Sequence, residues 1–212
     1  PNPVLTLAAS PDGTLAAIGD FTGTVSLRAM PTGATLATWS AHSEEVLALA
    51  FSPNGQLLAT AGFDGTAKLW QLPGGTLLRT FGGHTGTVNA VAFSPDGTQL
   101  ATGDSSGAIR IWNLDGTLQA TINAHSDPIT GLAFRPTGSH LASCSTDGTV
   151  RIWDLATYTP FRTLTGDGFI MAAVAYTPDG AQIIASDYSG TLRLWDASTG
   201  DLVRQTSVHA GE

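Results

Sequence analysis

One pattern of about 42 residues repeats from one end of this chain to the other. The turn Ser-Pro-Asp-Gly and its variants recur at Gly13, Gly55, Gly97, Gly138 and Gly180, in steps of 42, 42, 41 and 42 residues. A second glycine recurs at Gly23, Gly65, Gly107, Gly148 and Gly190. Five residues after it stand Arg28, Trp70, Trp112, Trp153 and Trp195. A third marker closes each unit: His42, His84, His125, Asp167 and His209. Three independent markers in one register define a repeat architecture, and such a period constrains the fold more than any local propensity.

Each unit reads as four short strands. In the second, Val46 to Phe51 is apolar, and the turn Ser52-Pro53-Asn54-Gly55 leads to a strand over Gln56 to Ala61. Phe63-Asp64-Gly65 leads to Thr66 to Trp70, and Pro73-Gly74-Gly75 leads to Thr76 to Phe81. Runs of five or six residues bounded by Gly, Pro, Asn and Asp are strand signals. No segment sustains a 3.6-residue apolar period, so essentially no helix is expected.

Composition narrows the class. Hydrophobic residues make up 42% and charged residues 12%, which describes a well-buried globular protein. The net charge is −8 and Lys68 is the only lysine. Nucleic acid and anionic membrane surfaces both select basic proteins, so neither is an expected partner. No apolar run reaches a membrane-spanning length, and Pro1-Asn2-Pro3 is no signal peptide. The start without Met suggests a cut, processed or excerpted chain. One cysteine, Cys144, excludes an internal disulfide and fits a reducing, cytoplasmic location.

The period, the Gly-His-like openings and the Trp-Asp ending of the third strand resemble WD repeats. Trp-Asp itself occurs at Trp153-Asp154 and Trp195-Asp196, with Trp70-Gln71, Trp112-Asn113 and the degenerate Arg28-Ala29 elsewhere. The resemblance covers nearly every residue. It implies an all-β propeller region over 1–212, with blades at about 1–42, 43–84, 85–125, 126–167 and 168–212. It also implies a hydrogen-bonded chain of His, Ser or Thr, Asp and Trp in each blade. His42, Thr60, Asp64, Trp70 and His125, Ser143, Asp147, Trp153 match in full. The third repeat offers His84, Thr102 and Trp112, but Ser106 replaces Asp. The fifth has Asp167, Ala185, Ser189 and Trp195, and the first has Ile18, Thr22 and Arg28. Blades two and four should therefore be the most rigid. Repeats one, three and five instead carry Asp20, Asp104 and Asp187 three residues before the turn glycine, which suggests a two-blade ancestral unit.

Other motifs favour structural roles. Gly103-Asp104-Ser105-Ser106-Gly107 matches a nucleophile elbow, but a strand follows it where that motif needs a helix. The repeated histidines fall in different blades and cannot converge on one metal ion. Asp20, Asp104 and Asp187 are expected to accept hydrogen bonds from turn N–H groups, with a cation-attracting carboxylate ring as the rival. Cys144 reads as a small buried apolar residue and His140 as a surface residue. No cofactor, metal or catalytic constellation is expected.

The residue before the turn Asp reads Phe21, Phe63, Ser105, Thr146 and Tyr188. The neighbouring loop into the first strand contributes Glu44, Glu45, Asp127 and Phe169. Together these make an acidic rim with aromatic anchors, suited to a protein or peptide partner carrying basic groups. A non-catalytic interaction scaffold is the leading expectation. The alternatives are an architectural piece completing a propeller with further blades, and an enzyme using a polar site at the channel mouth. The resemblance implies seven blades as the usual number. Three outcomes stay open: a longer protein, blades supplied by a partner or by self-association, or tight closure of five. An open arc is expected to expose apolar faces on its first and fifth blades.

Overall fold

The computed structural model describes residues 2–207, so the marker His209 lies outside the described residues. Twenty strands form five four-stranded antiparallel sheets, each built from consecutive strands. The first sheet holds β1 (Val4–Ala9), β2 (Leu15–Asp20), β3 (Thr24–Ala29) and β4 (Thr35–Ser40). The second holds β5 (Val46–Phe51), β6 (Leu57–Gly62), β7 (Ala67–Gln71) and β8 (Thr76–Phe81). The third holds β9 (Val88–Phe93), β10 (Gln99–Asp104), β11 (Ala108–Asn113) and β12 (Leu118–Asn123). The fourth holds β13 (Ile129–Phe134), β14 (His140–Ser145), β15 (Thr149–Asp154) and β16 (Thr159–Thr165). The fifth holds β17 (Met171–Tyr176), β18 (Gln182–Asp187), β19 (Thr191–Asp196) and β20 (Leu202–Ser207). No helix occurs among the described residues.

Turn chemistry explains where the strands begin. In the second sheet β6 and β7 start one residue later than the sequence suggests. The N–H of Gln56 donates to Asn54 Oδ1 at 3.1 Å, and that of Thr66 donates to Asp64 Oδ1 at 3.1 Å. Both residues therefore belong to Asx turns and not to the ladder. The first hairpin works the same way, with Asp12 Oδ1 accepting from Ser10 Oγ at 2.6 Å and from the Thr14 N–H at 3.0 Å.

Neighbouring sheets pack face to face. The first strands touch in series, β1 on β5, β5 on β9, β9 on β13 and β13 on β17. Alternation along each third strand supplies both faces of these contacts. Val25 and Leu27, Ala67 and Leu69, Ile109 and Ile111, and Val150 and Ile152 are all buried against the following sheet. Trp70, Trp112, Trp153 and Trp195 point the other way and join the core shared with the preceding sheet. Four interfaces thus take four indoles.

No comparable packing joins β17 to β1 among the described residues, and the five sheets form an open arc. Both outward faces carry apolar side chains, as expected, and they differ in how much polar lining accompanies them. The groove on the outward face of the first sheet is lined by Asn2, Val4, Ile18, Asp20, Thr24, Ser26, Arg28 and Thr38. The outward groove of the fifth sheet is lined by Ile184, Leu192, Leu194, Arg204 and Thr206.

Candidate functional site

One rim of the arc is built on buried polar networks. In the second sheet the Trp70 indole N–H donates to Thr60 Oγ1 at 3.0 Å, and Thr60 Oγ1 lies 2.7 Å from His42 Nε2. His42 Nδ1 lies 2.9 Å from Asp64 Oδ1, which also accepts from the Thr66 hydroxyl at 2.7 Å. The fourth sheet repeats this chain through Trp153, Ser143, His125 and Asp147 at 2.9, 2.7 and 2.8 Å. The direction of donation runs one way. The indole fills an acceptor site on the hydroxyl oxygen, the hydroxyl proton goes to Nε2, and the Nδ1 proton goes to the carboxylate. A neutral imidazole completes that chain.

The third network is also complete, which corrects the sequence expectation. Trp112 donates to Thr102 at 2.9 Å, and Thr102 lies 2.8 Å from His84 Nε2. The carboxylate comes from Asp104, whose Oδ2 is 2.6 Å from His84 Nδ1. Ser106 stands where Asp64 and Asp147 stand and donates its hydroxyl to Asp104 at 2.6 Å. The backbone N–H groups of Ser106 and Ala108 donate to the same carboxylate at 2.9 and 3.0 Å. Asp20 and Asp187 accept turn N–H groups in the same manner. The motif that matched a nucleophile elbow is thus a turn closed by its own aspartate.

The fifth sheet replaces the histidine chain with ions. Arg193 is buried and bridges Asp187 and Asp167, the latter at 2.6 Å. Asp167 occupies the histidine position, so an arginine from the third strand takes over the contact that an imidazole makes elsewhere.

Electrostatics follow burial. Desolvation pushes the imidazoles of His42, His84 and His125 below their ordinary value, against the pull of the adjacent carboxylates. Burial alone would raise Asp64, Asp104 and Asp147. Hydrogen bonds from Thr66, Ser106, Thr149 and the histidines outweigh it and hold all three below the usual carboxylate range. Burial pushes the Cys144 thiol up to about 11, and its side chain is fully covered. His140 opens β14 half-buried, its ring 4.7 Å from that of Phe161.

The networks hold the rim loops in place. The turn between second and third strands is tied to the loop entering the first strand of its own sheet. Phe21 N–H donates to Pro3 O at 3.0 Å, Phe63 N–H to Glu45 O at 2.9 Å and Tyr188 N–H to Ile170 O at 3.0 Å. The Gly23 carbonyl accepts the N–H groups of Ala41 and His42 at 2.8 and 3.0 Å, linking the first turn to the second sheet's entry loop. Gly23, at φ +79°, lies so near that loop that a Cβ would stand 2.5 Å from Glu44 O.

The rim residues fall into two patches. Phe21, Glu44, Glu45 and Phe63 are brought together by these contacts, with Phe21 54% and Phe63 50% exposed. Phe169 and Tyr188 sit on the fifth sheet, 51% and 76% exposed. Ser105 and Thr146 occupy the intervening rim positions, so the aromatic residues do not form one continuous surface. Asp127 is exposed on the fourth sheet between the patches. The sequence reading missed Ile170, 43% exposed beside Phe169; it stands in the entry loop at the position of Glu45, which was the available signal. It also missed Asp104 as the partner of His84 and Arg193 as an ion-pair hub.

No group of three or more His, Cys, Asp or Glu among the described residues could hold a metal ion. Among the described residues no helix is long and apolar enough to cross a membrane. No curated protein matches the chain. A family model described as WD domain, G-beta repeat matches residues 33–71, 75–113, 116–154 and 158–196. Each matched segment takes the outer strand of one sheet and the inner three of the next, so the sequence repeat and the structural sheet are offset by one strand. These segments cover well over half of the residues, and they end at the third strands bearing the four indoles: the chain belongs to the WD-repeat family of β-propeller proteins, whose members serve generically as non-catalytic protein-interaction scaffolds.

Proposed function

We propose that this chain binds a basic protein or peptide segment across the rim that carries Phe21, Glu44, Glu45 and Phe63, with Phe169 and Tyr188 as a second contact. The observation that carries the reading is the placement of half-exposed phenyl rings beside carboxylates on a band held by main-chain hydrogen bonds. Aromatic anchors on a rigid support dominate binding energy, because little side-chain freedom is lost when they dock. Carboxylates beside them steer a cationic partner, and the net charge of −8 adds to the field. Asp127 extends the acidic character toward the second patch. The opposite rim carries the Ser-Pro-Asp-Gly-type turns, whose near-identity offers little to discriminate partners.

The test is a peptide array varied in basic and aromatic content, probed with wild type, with Phe63→Ala plus Tyr188→Ala, and with Gln56→Ala plus Gln99→Ala. Truncating an anchor costs about 2 kcal/mol or more where it is a hot spot. Basic peptides should lose binding in the aromatic double variant, keep it in the glutamine variant, and weaken as salt is raised. Loss in the glutamine variant alone places the site on the other rim.

A further inference from the structure

We infer that the groove between the second and third sheets, on the rim that carries Phe63, is an arginine-binding site. It takes the guanidinium of a partner's arginine between the Phe63 ring and the Glu44 carboxylate. This rests on the reading of the rim as a surface for basic partners, and adds which junction binds and which basic side chain it selects.

The junctions between sheets are not alike on this rim. Between the first and second sheets, the Gly23 carbonyl accepts the N–H groups of Ala41 and His42. Between the third and fourth, the Gly107 carbonyl accepts those of Ala124 and His125, both at 3.0 Å. The counterparts between the second and third are Gly65, Gly83 and His84, and among the described residues no hydrogen bond joins them. Gly83 has φ +88°, a left-handed angle that neither Ala41 nor Ala124 adopts, so the chain turns away before the strap can form. The turn stands further off as a result. A Cβ on Gly23 or Gly107 would lie 2.2 Å from the nearest carbonyl oxygen of the next entry loop, whereas one on Gly65 would lie 3.3 Å from Gly86 O.

The opening is a groove of about 360 Å³, walled by Glu44, Phe63 and Gly65 on one side and by the entry loop that starts at His84 on the other. Its uncommitted groups are acceptors. Glu44 is exposed and makes no ion pair among the described residues, and the Gly65 carbonyl lacks the donors that Gly23 and Gly107 receive. Asp64 also lines the groove, but its carboxylate is taken by His42 Nδ1, the Thr66 hydroxyl and the Ser43 N–H. The cations of the adjacent third strands are turned to main-chain carbonyls, Lys68 Nζ to Ala41 O at 2.6 Å and Arg110 Nη1 to Gly82 O at 3.2 Å. The junction between the fourth and fifth sheets lacks the strap too, yet it offers Thr146 where Phe63 stands. The second junction thus pairs an aromatic face with a free carboxylate.

These groups favour arginine over lysine. A guanidinium is flat, weakly hydrated and carries several donors in one plane, so it can lie on a phenyl face while donating to Glu44 and to Gly65 O. A lysine ammonium is a compact, strongly hydrated point charge, and it gives up more water in the same shallow groove.

The test is a titration of the isotope-labelled chain, followed by amide NMR shifts. The probe is the capped pentapeptide Gly-Ala-Arg-Ala-Gly, beside versions with lysine and with uncharged citrulline in the central place. The arginine peptide should give saturable shifts at Phe63, Gly65 and His84, and bind about threefold or more tightly than the lysine version. The citrulline version should not saturate. Glu44→Gln and Phe63→Ala should each weaken the arginine peptide by about threefold or more, and Gln99→Ala, on the opposite rim, should leave it unchanged. Equal affinity for arginine and lysine, or full affinity in Glu44→Gln, overturns the arginine site. Saturable shifts confined to Phe169 and Tyr188 overturn the groove and leave the reading of the rim in place. An arginine peptide that shifts nothing also overturns the groove, and the reading of the rim then rests on the peptide array alone.

Discussion

Asp104 Oδ2 lies 2.6 Å from His84 Nδ1, although Asp104 stands two residues earlier in its repeat than the aspartates that serve His42 and His125. The two placements are interchangeable because the turn is short and curls back on the entry loop. At the earlier position a carboxylate reaches forward to the turn N–H groups and sideways to the imidazole. At the later position it does the same from inside the turn. The residue left over adapts: Gly62 makes room for the ring, and Ser106 donates to the carboxylate that displaced its role.

Asp104→Ala should therefore destabilise the protein as much as Asp64→Ala or Asp147→Ala. Each strands a buried imidazole N–H, a loss of about 1–3 kcal/mol. Chemical denaturation of the three variants side by side is the measurement. A neutral Asp104→Ala beside a costly Asp64→Ala would show that the third network does not depend on its aspartate.

Trp70→Ala should cost about 3–5 kcal/mol, since it empties a core position between two sheets and removes the donor to Thr60. Arg28→Ala should cost about 1 kcal/mol or less, because its guanidinium makes a single 3.2 Å bond to Gly33 O at a solvent-facing groove. Equal losses in the two melts would contradict the assignment of Arg28 to an open face.

Gly62→Ala should be destabilising although Gly62 needs no unusual backbone angle. An added Cβ would stand 2.4 Å from His42 Nδ1, and overpacking of this kind costs about 1–3 kcal/mol. The diagnostic reading is the His42 ring proton shift, which should move in Gly62→Ala and stay fixed in Gly13→Ala, where no atom lies within 4 Å.

Stability should decline on acidification in two stages. The imidazoles of His42, His84 and His125 have folded values below the ordinary one of about 6.5. Below that pH the unfolded chain binds protons that the folded chain refuses, so stability falls as pH drops through about 6.5. The carboxylates of Asp64, Asp104 and Asp147 are depressed as well, so their contribution is present above about 4 and is lost as pH falls through their folded values. Urea midpoints taken from pH 8 to pH 3 should show the first decline near neutrality. A midpoint flat between pH 7 and pH 5 would mean that the histidines are charged when folded.

Cys144 should be inert in the native protein. Its thiol is fully buried and pushed up to about 11, so almost no thiolate exists at pH 8. An aromatic disulfide reagent should release its chromophore only after denaturant is added. Rapid reaction in the native state would place the side chain at the surface.

The sequence by itself determined the number of sheets, their strand order and the absence of helix, because period, turn residues and strand alternation are local properties repeated five times. The networks of His42 and His125 were legible for the same reason, each member sitting at a fixed offset from a marker. The partner of His84 was not legible: two backbone routes deliver a carboxylate to one point, and offsets from a marker cannot rank them. Arg193 was equally hidden, since a third-strand cation looks like a solvated residue until Asp187 and Asp167 are seen to converge on it. Tertiary structure alone decided that the rim aromatics form two patches and that the two ends of the arc differ. Both depend on which sheet stands beside which. Arg28 is a degenerate tryptophan in the alignment of repeats, and only the tertiary structure sets its guanidinium in a groove shared with Val4, Ile18 and Asp20.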